Sequence, residues 1–210
     1  MKSLSCARLY GILDLGYVSL EEAIPMARQM LAGGVDILQL RAKRSSPEEI
    51  FRLAGSLAPL CRAAGVPLIL NDHPQLVAKA GADGVHVGQD DLPVPEVRRI
   101  VGPDAIIGLS THSLAQVRAA REAAPDYIGF GPLFATPTKP DYTPIGTAEI
   151  APAHGLVDLP VFCIGGIKRE NLREVLAAGA RRVVIVSGIL TAPSPAAYCL
   201  ACRDVLGSRP

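Results

Sequence analysis

The sequence predicts a single α/β domain over residues 1–210, built as a compact TIM (β/α)8 barrel, and three observations carry that expectation. Short apolar strands bounded by Gly and Pro alternate strictly with helical segments, which is the pattern of parallel βα units. One local pattern recurs four times: Gly33-Gly34-Val35-Asp36-Ile37-Leu38, Ala80-Gly81-Ala82-Asp83-Gly84-Val85, Ala123-Ala124-Pro125-Asp126-Tyr127-Ile128 and Ala178-Gly179-Ala180-Arg181-Arg182-Val183. In each copy small residues end a helix, a turn residue follows and a strand begins; copies lie roughly fifty residues apart, room for two βα units, so four copies make eight. Finally, 49% of residues are hydrophobic but only 4% aromatic, so the core is made of Ala, Val, Leu and Ile, the usage of buried parallel strands and their covering helices. An open doubly wound sheet is the rival architecture. It would carry a glycine-rich first βα turn for a nucleotide, and Leu13-Asp14-Leu15-Gly16-Tyr17 is not one.

Taken in order, Leu9 to Leu13 reads as strand 1, Glu21 to Leu31 as an amphipathic helix and Val35 to Leu40 as strand 2. Ser46-Pro47-Glu48-Glu49 supplies an N-cap, a proline in the first turn and acids against the helix dipole, opening a helix to Ala63. Strand 3 spans Pro67 to Leu70, a short helix Pro74 to Ala80, strand 4 Val85 to Val87, a helix Pro95 to Val101 and strand 5 Ala105 to Leu109. Ser113 caps a helix to Ala123, and strand 6 covers Tyr127 to Gly131. Thr147 opens a weaker helix, Pro160 to Ile164 is strand 7, Lys168 to Ala178 a helix, Val183 to Val186 strand 8 and Pro195 to Leu206 the last helix.

Charge and cysteine usage narrow the partners. A net charge of +1 provides no global field toward nucleic acid or membrane, so any bound anion must be held by a local cluster. No apolar run approaches membrane-spanning length, and Lys2, Arg8 and Asp14 interrupt the first apolar stretch, so neither a membrane span nor a secretory leader is expected. The five cysteines are scattered and odd in number; Cys199 and Cys202 form a lone CxxC without a second pair, read as neutral thiols in a reducing cytoplasm.

In a barrel the chemistry collects where strands end. Those ends supply Gln39, Arg41 and Lys43; Asn71 and Asp72; Gln89 and Asp91; Ser110; the Thr136-Pro137-Thr138-Lys139 loop; Gly165-Gly166; and Ser187-Gly188. Asp72 and Asp91, delivered by adjacent strands, suit Mg²⁺, which is commonly held by one or two carboxylates plus substrate phosphates and waters. Either alone reads better as a cap, Asp72 for the helix at Pro74 and Asp91 for the turn before Pro93, and it is the two at adjacent strand ends that favour a metal or phosphate role. Asp90 is left aside, since successive side chains point different ways. Arg41 and Lys43 share one side of an extended chain, a solvated edge if isolated and a pyrophosphate clamp beside metal carboxylates. Gly165-Gly166 and Ser187-Gly188 occupy turns where barrels bind phosphate through backbone N–H groups. The segment Pro132 to Ile145, with four prolines, is long enough to act as a lid. His86, between two valines, reads as a satisfied barrel histidine rather than a base, and His112 as equally a surface or a functional residue.

Gln39-Leu40-Arg41-Ala42-Lys43, Asn71-Asp72, His86-Val87-Gly88-Gln89-Asp90-Asp91, Ser110, Gly131 to Lys139, Gly165-Gly166-Ile167 and Val186-Ser187-Gly188 together resemble the thiamine-phosphate synthase family across nearly the whole chain. The resemblance implies a TIM-barrel transferase of thiamine biosynthesis that is Mg²⁺-dependent. It joins 4-amino-2-methyl-5-hydroxymethylpyrimidine pyrophosphate to 4-methyl-5-(2-phosphoethyl)thiazole, or its carboxy form, and releases pyrophosphate. It implies that Gln39, Arg41, Lys43, Asn71, Ser110 and Lys139 hold the pyrimidine pyrophosphate, with Ser110, Lys139 and Arg41 in catalytic roles. Asp72 and Asp91 would hold Mg²⁺, while Thr136, Thr138, Gly166, Val186 and Ser187 would hold the thiazole phosphate. Family members commonly carry Glu where this chain has Ala42, a side chain directed away from the clamp, and His73 is a variable position. The expected partners are these two small molecules, with a homo-oligomer allowed, in the cytoplasm. Two alternatives stand beside it: a thiazole tautomerase, which carries His after the strand 6 glycine where this chain has Pro132, and a non-catalytic phosphate-metabolite sensor.

Overall fold

Backbone pairing joins β1 (Leu9–Asp14) in parallel to β2 (Ile37–Arg41), and continues through β3 (Leu68–Asn71), β4 (Gly84–Val87), β5 (Ile106–Thr111), β6 (Tyr127–Phe130), β7 (Val161–Cys163) and β8 (Val183–Ile185). Because β8 pairs back to β1, the sheet is a closed eight-stranded parallel barrel in chain order, as the repeats predict. The computed structural model describes residues 4–136 and 143–207. Helices cross between strands: α1 (Leu20–Ala32), α2 (Pro47–Ala64), α3 (Val77–Ala80), α4 (Val94–Val101), α5 (Leu114–Ala123), α6 (Ile150–Leu156), α7 (Leu172–Ala177), α8 (Ser187–Leu190) and α9 (Pro195–Leu206).

The helix starts follow local chemistry. Ser46 caps α2 in a capping box with Glu49, with Pro47 at its first position, and Ser19 and Glu22 form a second capping box on α1. Ser113 accepts from the Gln116 N–H, capping α5 as expected. Several boundaries differ from the sequence reading. The helix assigned from Thr147 begins at Ile150, and that assigned from Lys168 begins at Leu172, each after a short turn. Strand 5 runs on through Ser110 to Thr111, because backbone pairing with β6 continues past Leu109. The short α8 was not foreseen; four residues are too few for a periodic apolar signal.

Two cores result from the alternation of strand side chains. Outside, Leu9, Leu13, Leu38, Leu40, Val85 and Ile128 pack against helix residues such as Ala27, Met30, Leu57 and Val117. Inside, Tyr10, Ile12, Ile37, Ile69, Ile106, Tyr127, Phe162 and Val184 fill the barrel. Phe162 meets Tyr10 and Tyr127 edge to face, with ring centroids 5.5 and 5.4 Å apart, which stacks the aromatic rings in one layer. The interior is thus plugged below, and a cavity opens toward the C-terminal ends of the strands.

Candidate active site

Above the aromatic plug, the next inward-facing strand positions are polar. The register places Gln39 of β2 beside Ile12 and Ile69, His86 of β4 between Asn71 and Gly108, and Ser110 of β5 beside Gly129. Gln39 Nε2 donates to Tyr10 Oη at 2.7 Å, and His86 Nε2 lies 2.9 Å from Ser110 Oγ. One layer higher, Arg41 ends β2 opposite Asp14 of β1. The guanidinium Nη1 meets Asp14 Oδ2 at 2.7 Å, and that carboxylate, 2% exposed, also accepts from the Gly16 N–H at 2.9 Å. A buried acid therefore sets the direction of the Arg41 guanidinium.

The two proposed metal carboxylates sit at the ends of β3 and β4. Asp72 follows Asn71; its N–H donates to His86 O at 2.9 Å and its backbone takes φ 62°, a left-handed conformation that Asp tolerates better than most residues. It does not cap the following 3₁₀ turn, whose N-cap is His73, and instead Oδ2 pairs with Lys43 Nζ at 3.0 Å. Asp91 closes the turn after β4: Oδ2 accepts from the Gly88 N–H at 2.7 Å, so its turn role is realised. The same turn is tied to β5, since Gln89 Nε2 donates to Ser110 O at 2.6 Å. Among the described residues no group of three or more His, Cys, Asp or Glu could enclose a metal alone, so a cation here would need ligands from its substrate or water.

On the opposite wall the loop after β6 packs onto the turn after β7. Leu133 and Phe134 N–H groups donate to Ile164 O and Gly165 O at 2.9 and 3.0 Å. Gly165 and Gly166 have φ of 97° and 65°, and a Cβ on Gly166 would fall 2.7 Å from Phe134 Cβ, so glycine is required by both conformation and contact. Asn171 Nδ2 donates to Gly166 O at 3.0 Å and its Oδ1 accepts from the Lys168 N–H, fixing this turn from below. Ile145 and Gly146 return to Pro132 and Leu133 through backbone bonds, so the long loop leaves and re-enters at one point. His112 Nδ1 bonds Gly131 O at 2.6 Å at the same corner.

One cavity joins these walls, lined by Gln39, Arg41, Asn71 and Ser110 on one side and by Thr136, Gly166, Val186 and Ser187 on the other. Lys43, Asp72 and Asp91 stand at the adjoining ends of β2, β3 and β4 without lining it. Thr138 and Lys139 lie outside the described residues. Sequence reasoning missed Asp14, Tyr10 and Tyr127; the available signal was polar atoms at inward positions of otherwise apolar strands. It read the five thiols as neutral, and for the four buried ones burial pushes Cys61, Cys163 and Cys199 up to about 12 and Cys202 up to about 11.

A closed parallel barrel whose polar residues converge on its C-terminal mouth defines a TIM-barrel enzyme. The family model described as thiamine monophosphate synthase matches residues 9–189. A thiamine-phosphate synthase of Shouchella clausii is 44% identical over 88% of this chain and 89% of its own. One from Thermus thermophilus is 43% identical over 90% and 91%. The solved thiamine phosphate pyrophosphorylase of Pyrococcus furiosus superposes with a TM-score of 0.88 at 28% identity, covering 98% of both chains. The chain belongs to the thiamine monophosphate synthase family and is an enzyme of the transferase class. No helix among the described residues is long and apolar enough to cross a membrane.

Proposed function

We propose that this chain catalyses condensation of the hydroxymethylpyrimidine pyrophosphate with the thiazole phosphate, giving thiamine phosphate and pyrophosphate, or with its carboxy form, giving the same products and CO2. The observation that carries the reading is the two-walled cavity. Gln39, Arg41, Asn71 and Ser110 face the glycine turn at Gly166 and the Val186-Ser187 turn, so two ligands of different charge distribution can meet between them. Arg41, aligned by Asp14, offers a planar fork to a diphosphate, and Lys43 adds a point charge at the same rim. Lys139 and the Thr136 to Thr138 segment belong to the loop that would close over the bound pair.

The donor set fits a hard divalent cation: two carboxylates at adjacent strand ends, each with an oxygen not engaged by Lys43 or by the Gly88 N–H. Mg²⁺ held by Asp72 and Asp91 would supply charge neutralisation to a departing diphosphate. The chain's own groups contribute the rest. Arg41, Lys43 and Lys139 bind the leaving group as its negative charge grows, and Ser110 donates to it. The walls then hold the thiazole nitrogen in line with the exposed pyrimidine methylene. No protein nucleophile is required.

The test is incubation with both substrates, with Mg²⁺ and with excess chelator, following thiamine phosphate. Product only with the cation is expected; product unaffected by chelator removes the metal assignment, and no product under any condition removes the substrate pair.

A further inference from the structure

Five polar groups form one unbroken chain across the inner layer of the barrel. Gln39 Nε2 reaches Tyr10 Oη at 2.7 Å, Tyr10 Oη reaches Tyr127 Oη at 2.9 Å, Tyr127 Oη reaches His86 Nδ1 at 3.0 Å and His86 Nε2 reaches Ser110 Oγ at 2.9 Å. The chain is enclosed. Gln39, Tyr10 and Tyr127 are at most 2% exposed, and Phe162 holds both phenols edge to face. Gly108 makes the central link geometrically feasible, because a Cβ there would collide with both the Tyr127 phenol and His86 Nδ1.

Each hydroxyl has one proton and a neutral imidazole one N–H, so the members cannot choose donor roles independently. The Gln39 amide donates to Tyr10, so Tyr10 passes its proton to Tyr127 and Tyr127 passes its own to His86 Nδ1. The imidazole proton must then reside on Nε2, directed at Ser110 Oγ, which leaves the Ser110 hydrogen free for an acceptor in the cavity. The reverse polarity would turn the Ser110 proton onto His86 and present only lone pairs to an anionic ligand. Burial pushes both phenols well above their ordinary range, so each keeps the proton it passes along the chain.

We infer that Tyr10, Tyr127 and His86 are positioning residues that hold His86 as its Nε2–H tautomer and so present Ser110 to the substrate diphosphate as a hydrogen-bond donor. The inference rests on the function proposed above only for the identity of that acceptor.

Long-range ¹H–¹⁵N correlation of the histidine side chains at pH 8, with His86→Gln for assignment, reads the tautomer in the ligand-free protein. An Nε2–H form is expected in the wild type and loss of that preference in Tyr127→Phe; an Nδ1–H form, or a tautomer unmoved by Tyr127→Phe, overturns the inference. Turnover by Tyr127→Phe should fall about tenfold, the scale of one misdirected hydrogen bond. In a Ser110→Ala background the same change should add little, whereas full additivity shows a route that bypasses Ser110 and overturns it. If Tyr127→Phe fails to fold, the wild-type tautomer decides alone. Absence of product from the wild type counts against the proposed function, and the wrong tautomer against this chain of groups, so the two failures are distinguishable.

Discussion

At the N-terminal rim of the barrel, Asp36, Asp83 and Asp126 turn their carboxylates onto the backbone of the preceding strand, Asp36 and Asp126 holding Arg203 and Arg98 as well, whereas at the C-terminal rim Asp14 and Asp72 face Arg41 and Lys43. The lower set repeats one geometry. Asp36 accepts from the N–H groups of Arg8 and Leu9 at 2.9 and 3.1 Å, Asp83 from Leu68 at 2.8 Å and Asp126 from Ile107 at 2.7 Å. The N–H of each Asp returns a bond to the carbonyl of Leu9, Leu68 or Ile107. Every aspartate thus clasps one residue at the start of the strand before it, joining β1 to β2, β3 to β4 and β5 to β6. The upper set makes no such clasp: Lys43 and Asp72 are a partly exposed pair, and Asp91 closes only a turn. The lower carboxylates bond the backbone of another strand, whereas those of Asp14 and Asp91 bond the backbone of their own turn.

Removing the charge of Asp72 or Asp91 should therefore cost activity alone. Asp72→Asn and Asp91→Asn keep the left-handed backbone and the Gly88 contact respectively while deleting the negative charge. Each is expected to lower kcat/KM by on the order of 10²–10³-fold with an unchanged melting temperature. Near-normal turnover in both would break the distinction between the rims.

Removing lower charge should do the reverse. Asp36→Ala orphans one buried and one part-buried N–H group and leaves Arg203, 3.2 Å from the carboxylate, with only the Gly34 carbonyl; a loss of about 3 kcal/mol is expected, with kcat of the folded fraction unaltered. Asp83→Ala orphans one side-chain-bonded N–H, so about 1–2 kcal/mol follows by the same denaturant titration. Asp14→Asn sharpens the comparison, since it is a buried acid on the functional rim. A loss of about 2 kcal/mol accompanied by a raised KM is expected, because Arg41 loses its partner charge.

The contrast also explains what the sequence disclosed. The recurring run of small residues and a turn before a strand showed that four double units exist, and reading only strand ends collected Gln39, Arg41, Asn71, Ser110 and Ser187 on one cavity. What a linear pattern cannot show is which strand interiors face one another. Tyr10 and Tyr127 read as ordinary strand residues until the register brings them within hydrogen-bond distance. Asp14 read as part of an uninformative turn because its partner lies on the next strand, and Asp36 as a mere turn residue because its acceptor role is with backbone, which sequence does not name.

The fourth copy of the pattern departs from the other three, having Arg181 where they have Asp, and the seam it serves is the least knitted. β7 and β8 share a single paired position, Cys163 with Val183, and among the described residues no aspartate clasps them. His154 of α6 meets this corner with Nε2 buried and without a hydrogen-bond partner among the described residues. Burial first, then the nearby Arg181 and Arg182 charges, push its imidazole down from 6.5 to about 4. An unfolded chain takes up this proton as pH falls below 6.5, while the folded chain resists until about 4, so protonation favours unfolding throughout that window. Stability is then fully present above pH 6.5 and declines toward pH 4, by roughly 1–2 kcal/mol after allowance for partial solvent exposure. Urea midpoints at pH 7 and pH 4.5 should differ less in His154→Gln than in the wild type. An equal difference would assign the acid sensitivity to other groups and return the β7–β8 seam to the same standing as the three clasped ones.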